Sequence, residues 1–278
     1  DFPGLQKGYI VKEELPDDTI TSGQSFILNL RREKFRDPRV REAIDLMFNF
    51  EWTNATLFFG LYSQGYSFWQ NTELAASGLP TPEELVFLEP LREQLMPEVF
   101  TEEVYAQSPS DPDAARDRRK ARRALRLLQD AGYTAGSDGM LRKDGETLQV
   151  EFLNSSPLFD RIINPYVANL RSIGVDAVLS RVDNAQETER SRNYDFDIVT
   201  DHIPMGYEPG SGLRQYFGSD SANDSVFNMS GIADPAVDAL VETVIAQETH
   251  DGVINATRAL DRVLRWQRMR VPQWYNPN

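Results

Sequence analysis

Cysteine is absent from this 278-residue sequence, and histidine occurs only twice, at His202 and His250. The first absence excludes disulfides, thiolate metal sites and cysteine nucleophiles. The second leaves little for a metal centre: the two histidines lie in different segments, and no HExxH helix or EF-hand loop is present. No run of about 18 apolar residues occurs, so nothing reads as a transmembrane helix. GxSxG, Walker A and GxGxxG patterns are missing too, and the glycine-rich stretch 206–212 does not match a phosphate loop. Basic charge is scarce: 29 Lys and Arg against 43 Asp and Glu leave a net charge of −14. Such a chain repels nucleic acid and anionic membrane unless it gathers its basic residues on one patch.

What is present is ordinary globular material. Apolar residues make up 40% and charged residues 26%, enough for one large or two ordinary domains. Residues 26–30 read as a buried strand. Asp37 then suits an N-cap and Pro38 the first helical position. Val40, Ala43, Ile44, Met47 and Phe48 follow at i, i+3, i+4, i+7 and i+8, one continuous helical face. A second helix is expected over 50–59, stopped by Gly60. Residues 60–82 read as an ordered loop, and the prolines of 82–112 predict short helical turns.

Residues 113–131 predict a helix crowded with seven basic side chains: Arg116, Arg118, Arg119, Lys120, Arg122, Arg123 and Arg126. Ala121, Leu125, Leu128 and Ala131 supply its apolar side. A solvated face, partly offset by Asp113, Asp117 and Asp130, is the plainer reading; an anion or nucleic-acid site is the sharper one, disfavoured by the overall charge. Turns at Asp138-Gly139 and Asp144-Gly145 mark a hairpin. Strands at 148–153, 175–182 and 196–199 then alternate with helices at 158–173 and 185–193, the order of an α/β sheet. A loop over 203–233 leads to helices from Asp234-Pro235 and over 252–269, and the closing VPQWYNPN starts like a strand.

In open α/β sheets, ligands sit beyond the carboxyl ends of the strands. Two such ends are polar here: Asn154-Ser155-Ser156, ahead of Pro157 and Phe159, and the stretch from Thr200 through Asp201, His202, Ile203, Met205 and Tyr207. Turn and cap chemistry accounts for these compositions about as well as a site does. Asp195, Asp197 and Asp201 straddle one strand and read as strand-end residues or caps. No catalytic residue, metal or cofactor is indicated.

Three segments carry a resemblance. FILNLRREKFRDPRVREAIDLMFN (26–49), ARRALRLLQDAGYTAGSDGMLRKDGETLQVEFL (121–153) and FNMSGIADPAVDAL (227–240) resemble, in the same order, segments of extracytoplasmic solute-binding proteins of family 5, the oligopeptide-binding class of ABC importers. Residues 49–80 further resemble the subgroup of oligopeptide and microcin C uptake receptors. The resemblance implies a periplasmic-binding-protein-like α/β lobe with a mixed sheet flanked by helices. It implies a linker and hinge strand from a first lobe at 1–30, a second ligand-binding lobe at 31–270, and a return hinge strand at 271–278. A signal sequence and the rest of the first lobe would then lie outside these residues.

The function implied is a periplasmic, monomeric receptor that captures extended peptides or modified peptides and delivers them to the permease subunits, without catalysis and without nucleic acid. Asn154, Ser155, Ser156 and Phe159, and the stretch from Thr200 to Tyr207, match the family's ligand contacts. Relatives carry a Trp and then an Asp in the second stretch, where this sequence has Ile203 and Gly206. The alternatives are an acidic α/β hydrolase using a carboxylate pair, which needs two carboxylates within roughly 5–10 Å, and a non-catalytic interaction domain.

Overall fold

The structure, a computed structural model, describes residues 2–13, 15 and 19–277. Its centre is a five-stranded mixed sheet. The strands are β1 (Gln24–Leu28), β5 (Gln149–Asn154), β6 (Asp176–Arg181), β7 (Ile198–His202) and β8 (Arg270–Pro272), in the spatial order β6-β5-β7-β1-β8. A separate three-stranded piece holds β2 (Thr134–Ala135), β3 (Leu141–Lys143) and β4 (Glu146–Thr147), turning at the two Asp-Gly pairs that the sequence marks. β5 runs parallel to β6 and β7, whereas β1 is antiparallel to both β7 and β8.

Alternation along the strands feeds two cores. Phe26, Leu28, Val150, Phe152 and Ile198 face one side; Ile27, Leu153 and Val199 face the other. Helices cover both faces. In chain order they are α1 (Pro38–Leu46), α2 (Phe50–Leu57), α3 (Pro82–Leu88), α4 (Arg118–Asp130), α5 (Asp160–Arg171), α6 (Asn184–Arg192), α7 (Pro235–Ile245) and α8 (His250–Gln267). Helices α1 and α5 close the first core, where Phe26 meets the rings of Phe48, Phe152 and Tyr166 at 5.3–5.9 Å. Helices α7 and α8 close the second. No helix is long and apolar enough to cross a membrane, among the described residues.

Several boundaries differ from the sequence expectation, each for a local reason. The basic helix starts at Arg118, not at 113, because Asp117 accepts from the N–H groups of Arg119 and Lys120 and so caps it. Ala124 replaces Ala121 and Leu125 among its fully buried residues, and Lys120 is buried with them. The last strand of the α/β run is shifted to Ile198–His202, since Asn29 takes the carbonyls of Tyr194 and Phe196 with its side-chain amide. The loop over 203–233 contains a short helix, Leu213–Phe217.

Candidate functional site

Strand register brings the two polar strand ends to one edge of the sheet. Asn154 pairs with Arg181 across β5 and β6, Leu153 with Val199 across β5 and β7, and His202 with Gln24 across β7 and β1. Ser25 then lies opposite Pro272 of β8. Residues 154–156, 200–202, 24 and 273 therefore share one rim.

At β5 the rim is built by Asn154, only 3% exposed. Its Nδ2 donates to the carbonyl of Ser156 at 2.9 Å and its Oδ1 accepts from the Ser156 N–H at 3.3 Å. The amide is thus spent on an Asx-type turn that turns the chain toward Pro157. Ser155 is held as well: Glu187, in the first turn of α6, accepts from both its N–H and its hydroxyl, and Arg181 donates to its carbonyl at 2.8 Å. The hydroxyl of half-buried Ser156 has no hydrogen-bond partner among the described residues. The Phe159 ring stacks on Trp274, centroids 6.0 Å apart and 25° off parallel, and Trp274 also meets Phe58 at 4.7 Å and Tyr62 at 6.4 Å.

At β7 the hydroxyl of Thr200 accepts from Gln273 Nε2 at 3.4 Å, and Gln273 Oε1 accepts from Gln24 Nε2. A ladder of polar side chains so crosses three neighbouring strands. Asp201 is half-buried and accepts from the His202 N–H at 2.8 Å; His202 is exposed. Ile203 and Met205 depart from the expectation that they reach a ligand. Both are buried, at 4% and 8%, in the core beneath α7 and α8, because the inward alternation of β7 continues past its last residue. Tyr207 is 58% exposed, and its hydroxyl accepts from the Ile20 N–H at 2.9 Å. Gly206 is exposed.

Gly23 sets how the chain arrives at this rim. Its φ is +67°, and a Cβ there would sit 2.4 Å from the carbonyl oxygen of Ile203. Only glycine allows both the left-handed turn and that backbone approach. Behind it lies buried Arg270, which donates to the Gly23 carbonyl, the Ser25 hydroxyl and the Tyr66 carbonyl, with its guanidinium 3.8 Å over the Phe68 ring. Burial pushes its pKa down to about 9. Beyond β8, Tyr275 bridges to Ser63, and Gln64 donates to the Pro272 carbonyl at 2.8 Å.

The carboxylates of Asp195 and Asp197 belong to the opposite edge and are neutralised there. Arg32 and Arg190 hold Asp195, each at 3.0 Å, and Lys34 holds Asp197 at 2.6 Å. Asp197 also accepts from the Glu151 N–H, so these are strand-end anchors, as their spacing suggested. No group of three potential metal ligands exists among the described residues, and His250 lies 3.3 Å from Glu73, away from His202. Sequence reasoning did not single out Gln24, Gln273, Trp274, Arg181 or Glu187. Their role depends on strand register across long separations, and the one local signal was the polar Gln273-Trp274 pair that follows a strand-like start.

A mixed α/β sheet with helices on both faces and a polar rim at one edge is the architecture of a periplasmic-binding-protein-like lobe. The chain belongs to the bacterial extracellular solute-binding proteins, family 5, whose middle region matches residues 3–225. It is 41% identical, over 99% of its length, to a probable peptide-binding protein, YejA, of Agrobacterium fabrum, and covers 45% of that relative. The chain thus spans about half the length of the curated relatives it matches. Its fold superposes with a TM-score of 0.68 on the oligopeptide-binding protein AppA of Bacillus subtilis in complex with a nonapeptide, at 16% identity, covering 94% of this chain and 46% of AppA. NikA of Brucella suis in complex with Fe(III)-EDTA superposes at 0.66 with 19% identity, covering 98% of this chain and 48% of NikA. The expected periplasmic-binding-protein-like lobe is the fold adopted, and membership of a solute-binding family favours the binding reading over the hydrolase.

Proposed function

We propose that this chain is one ligand-contacting lobe of a two-lobe receptor, which captures extended peptides or modified peptides outside the cytoplasm and hands them to the permease of an ABC importer. The observation that carries the reading is the convergence of two separate polar strand ends, 154–156 and 200–202, on one rim. Family membership and the peptide-binding name of the 41%-identical relative support it. The two strands expected as hinge crossings, within 1–30 and at 271–278, run side by side with Phe26 opposite Val271, which suits a chain that arrives from a second lobe and returns to it. The resemblance of residues 49–80 supports a reading within the oligopeptide and microcin C uptake subgroup.

Two-lobe receptors hold a ligand by closing both halves over it. In this chain alone the rim faces solvent, where each hydrogen bond contributes about 0.5–1.5 kcal/mol net. A few such bonds barely offset the association entropy, so the isolated chain should bind peptides no better than roughly millimolar. Calorimetry against a peptide library, run on this chain and on a longer protein that contains it, is the test. Tight binding by the longer protein, weakened by Ser156→Ala and Thr200→Val, supports the reading. Micromolar binding by this chain alone would sink the two-lobe part, and no peptide binding by either would sink the peptide part.

A further inference from the structure

The basic residues of α4 are sorted by the helix into one arc. At about 100° per residue, Arg118, Arg122, Arg126, Arg119 and Arg123 span roughly 140°. Lys120, Ala124 and Leu128 occupy the opposite side, buried against α1 and its neighbours. All five arginines are exposed. Arg123 pairs with Glu42 at 2.6 Å and Arg119 reaches the Pro109 carbonyl, but Arg118, Arg122 and Arg126 have no partner among the described residues. Asp117 caps the helix, and the Asp130 carboxylate, one turn past Arg126 on the same face, forms no ion pair with the row among the described residues. A row of unpaired guanidinium groups about 12 Å long therefore stands on a chain whose net charge is −14.

We propose that this arginine row rests on an anionic phospholipid surface and orients the lobe over it. Resting beside a permease relies on the function proposed above, but contact with lipid does not. The overall charge selects against polyanions that meet the molecule from any side, since every other approach is repelled. A plane met by one face is different. Beyond a Debye length of about 10 Å the acidic remainder is screened, while the row itself lies in contact. Guanidinium groups suit phosphate because they donate in pairs along one plane. The family is extracellular, and there the extended anionic surface at hand is the lipid headgroup layer.

Flotation with vesicles of phosphatidylglycerol mixed into phosphatidylcholine tests this, using the protein without peptide or permease. Each arginine near such a surface changes partition about fivefold, so Arg118→Gln, Arg122→Gln and Arg126→Gln together should weaken binding by at least about tenfold after the repulsion of the acidic chain is counted. Binding should vanish on pure phosphatidylcholine and fall steeply with salt. Circular dichroism checks that the triple variant is folded, and Arg122→Glu alone should give a smaller loss. Equal binding to both vesicle types, an unaffected triple variant, absence of binding at low salt, or retention on single-stranded RNA as strong as on vesicles would each overturn the proposal. None of these outcomes depends on whether peptides bind.

Discussion

Replacing Asp261 by Ala should unfasten the wall of the rim formed by residues 60–80. Asp261 is fully buried in α8. Its Oδ1 accepts from the Phe68 N–H at 2.9 Å, and its Oδ2 accepts from the Ser67 hydroxyl at 2.9 Å and the Ala76 N–H at 3.0 Å. Arg265 lies 3.7 Å away but keeps carbonyl partners on Tyr105 and Ala76, so it is not stranded by the change. The two backbone N–H groups are stranded. An unsatisfied buried donor costs about 1–3 kcal/mol, and water entering the space left by the carboxylate keeps each toward the lower end. Two amides and one hydroxyl give a loss of about 3–5 kcal/mol, which lowers the melting temperature by about 10 °C or somewhat more in a chain of this size.

Asp261→Asn keeps one acceptor oxygen and should lose about half as much. Urea unfolding at neutral pH measures the loss, and hydrogen exchange at the Phe68 and Ala76 amides locates it. The consequence at the rim is specific, because the loop held by Asp261 carries Ser63 and Gln64, which brace Tyr275 and Pro272. An Ala variant within 1 kcal/mol of the parent, a threshold at the scale of one ordinary hydrogen bond, with unchanged exchange at both amides, would refute the reasoning.

Further outcomes are expected elsewhere. Glu84 and Arg262 form a buried pair at 2.8 Å, so Glu84→Gln should cost about 3 kcal/mol, whereas Glu84→Met with Arg262→Met should cost less than the single change; urea titrations of the three variants decide it. Asp45 is fully buried, and its pKa is raised by burial to about 6 from 3.8. The folded form therefore holds the proton more tightly than the unfolded one, and this contribution to stability is lost as pH rises from about 4 to about 6, worth about 3 kcal/mol at 1.36 kcal/mol per pH unit. Asp45→Asn should gain stability relative to the parent across that window; a difference independent of pH would exclude a titrating Asp45. Gly23→Ala places a methyl against the Ile203 carbonyl in a left-handed conformation and should cost about 2 kcal/mol or more, read as a lower melting temperature and altered amide shifts at 200–203.

Legibility in the sequence followed the range of the interaction that fixes each feature. Asp37-Pro38 and Asp234-Pro235 cap their helices as expected, since both carboxylates act on N–H groups two or three residues on. The inward faces of α1 and α5 were readable from spacing, down to Ile162, Ile163, Tyr166, Val167 and Leu170. The start of the basic helix was not, because three aspartates, at 111, 113 and 117, compete for the cap, and Asp111 instead accepts from the Asp113 N–H. At the site, the two strand ends were visible as polar breaks after apolar runs. Which of their side chains remain free was not visible. That depends on Glu187, Arg181 and Gln273, which arrive from other strands and helices.

The disposition of those partners bears on how selective such a rim can be. Asn154 is closed on Ser156, Ser155 on Glu187, and Thr200 on Gln273, so most polar side chains of the rim are satisfied before any ligand comes. A rim built this way is rigid, and it loses little conformational entropy on binding. It also has few side-chain donors left with which to read a ligand's side chains. Among the described residues, the groups still open include the Ser156 hydroxyl, one oxygen of Asp201 and the His202 ring, beside an aromatic shelf of Phe159 and Trp274. Under the proposed function, recognition through so few fixed points would favour what all extended peptides share, their repeating main chain, over any one sequence, and would leave discrimination to the size and apolar character of whatever lies against the shelf.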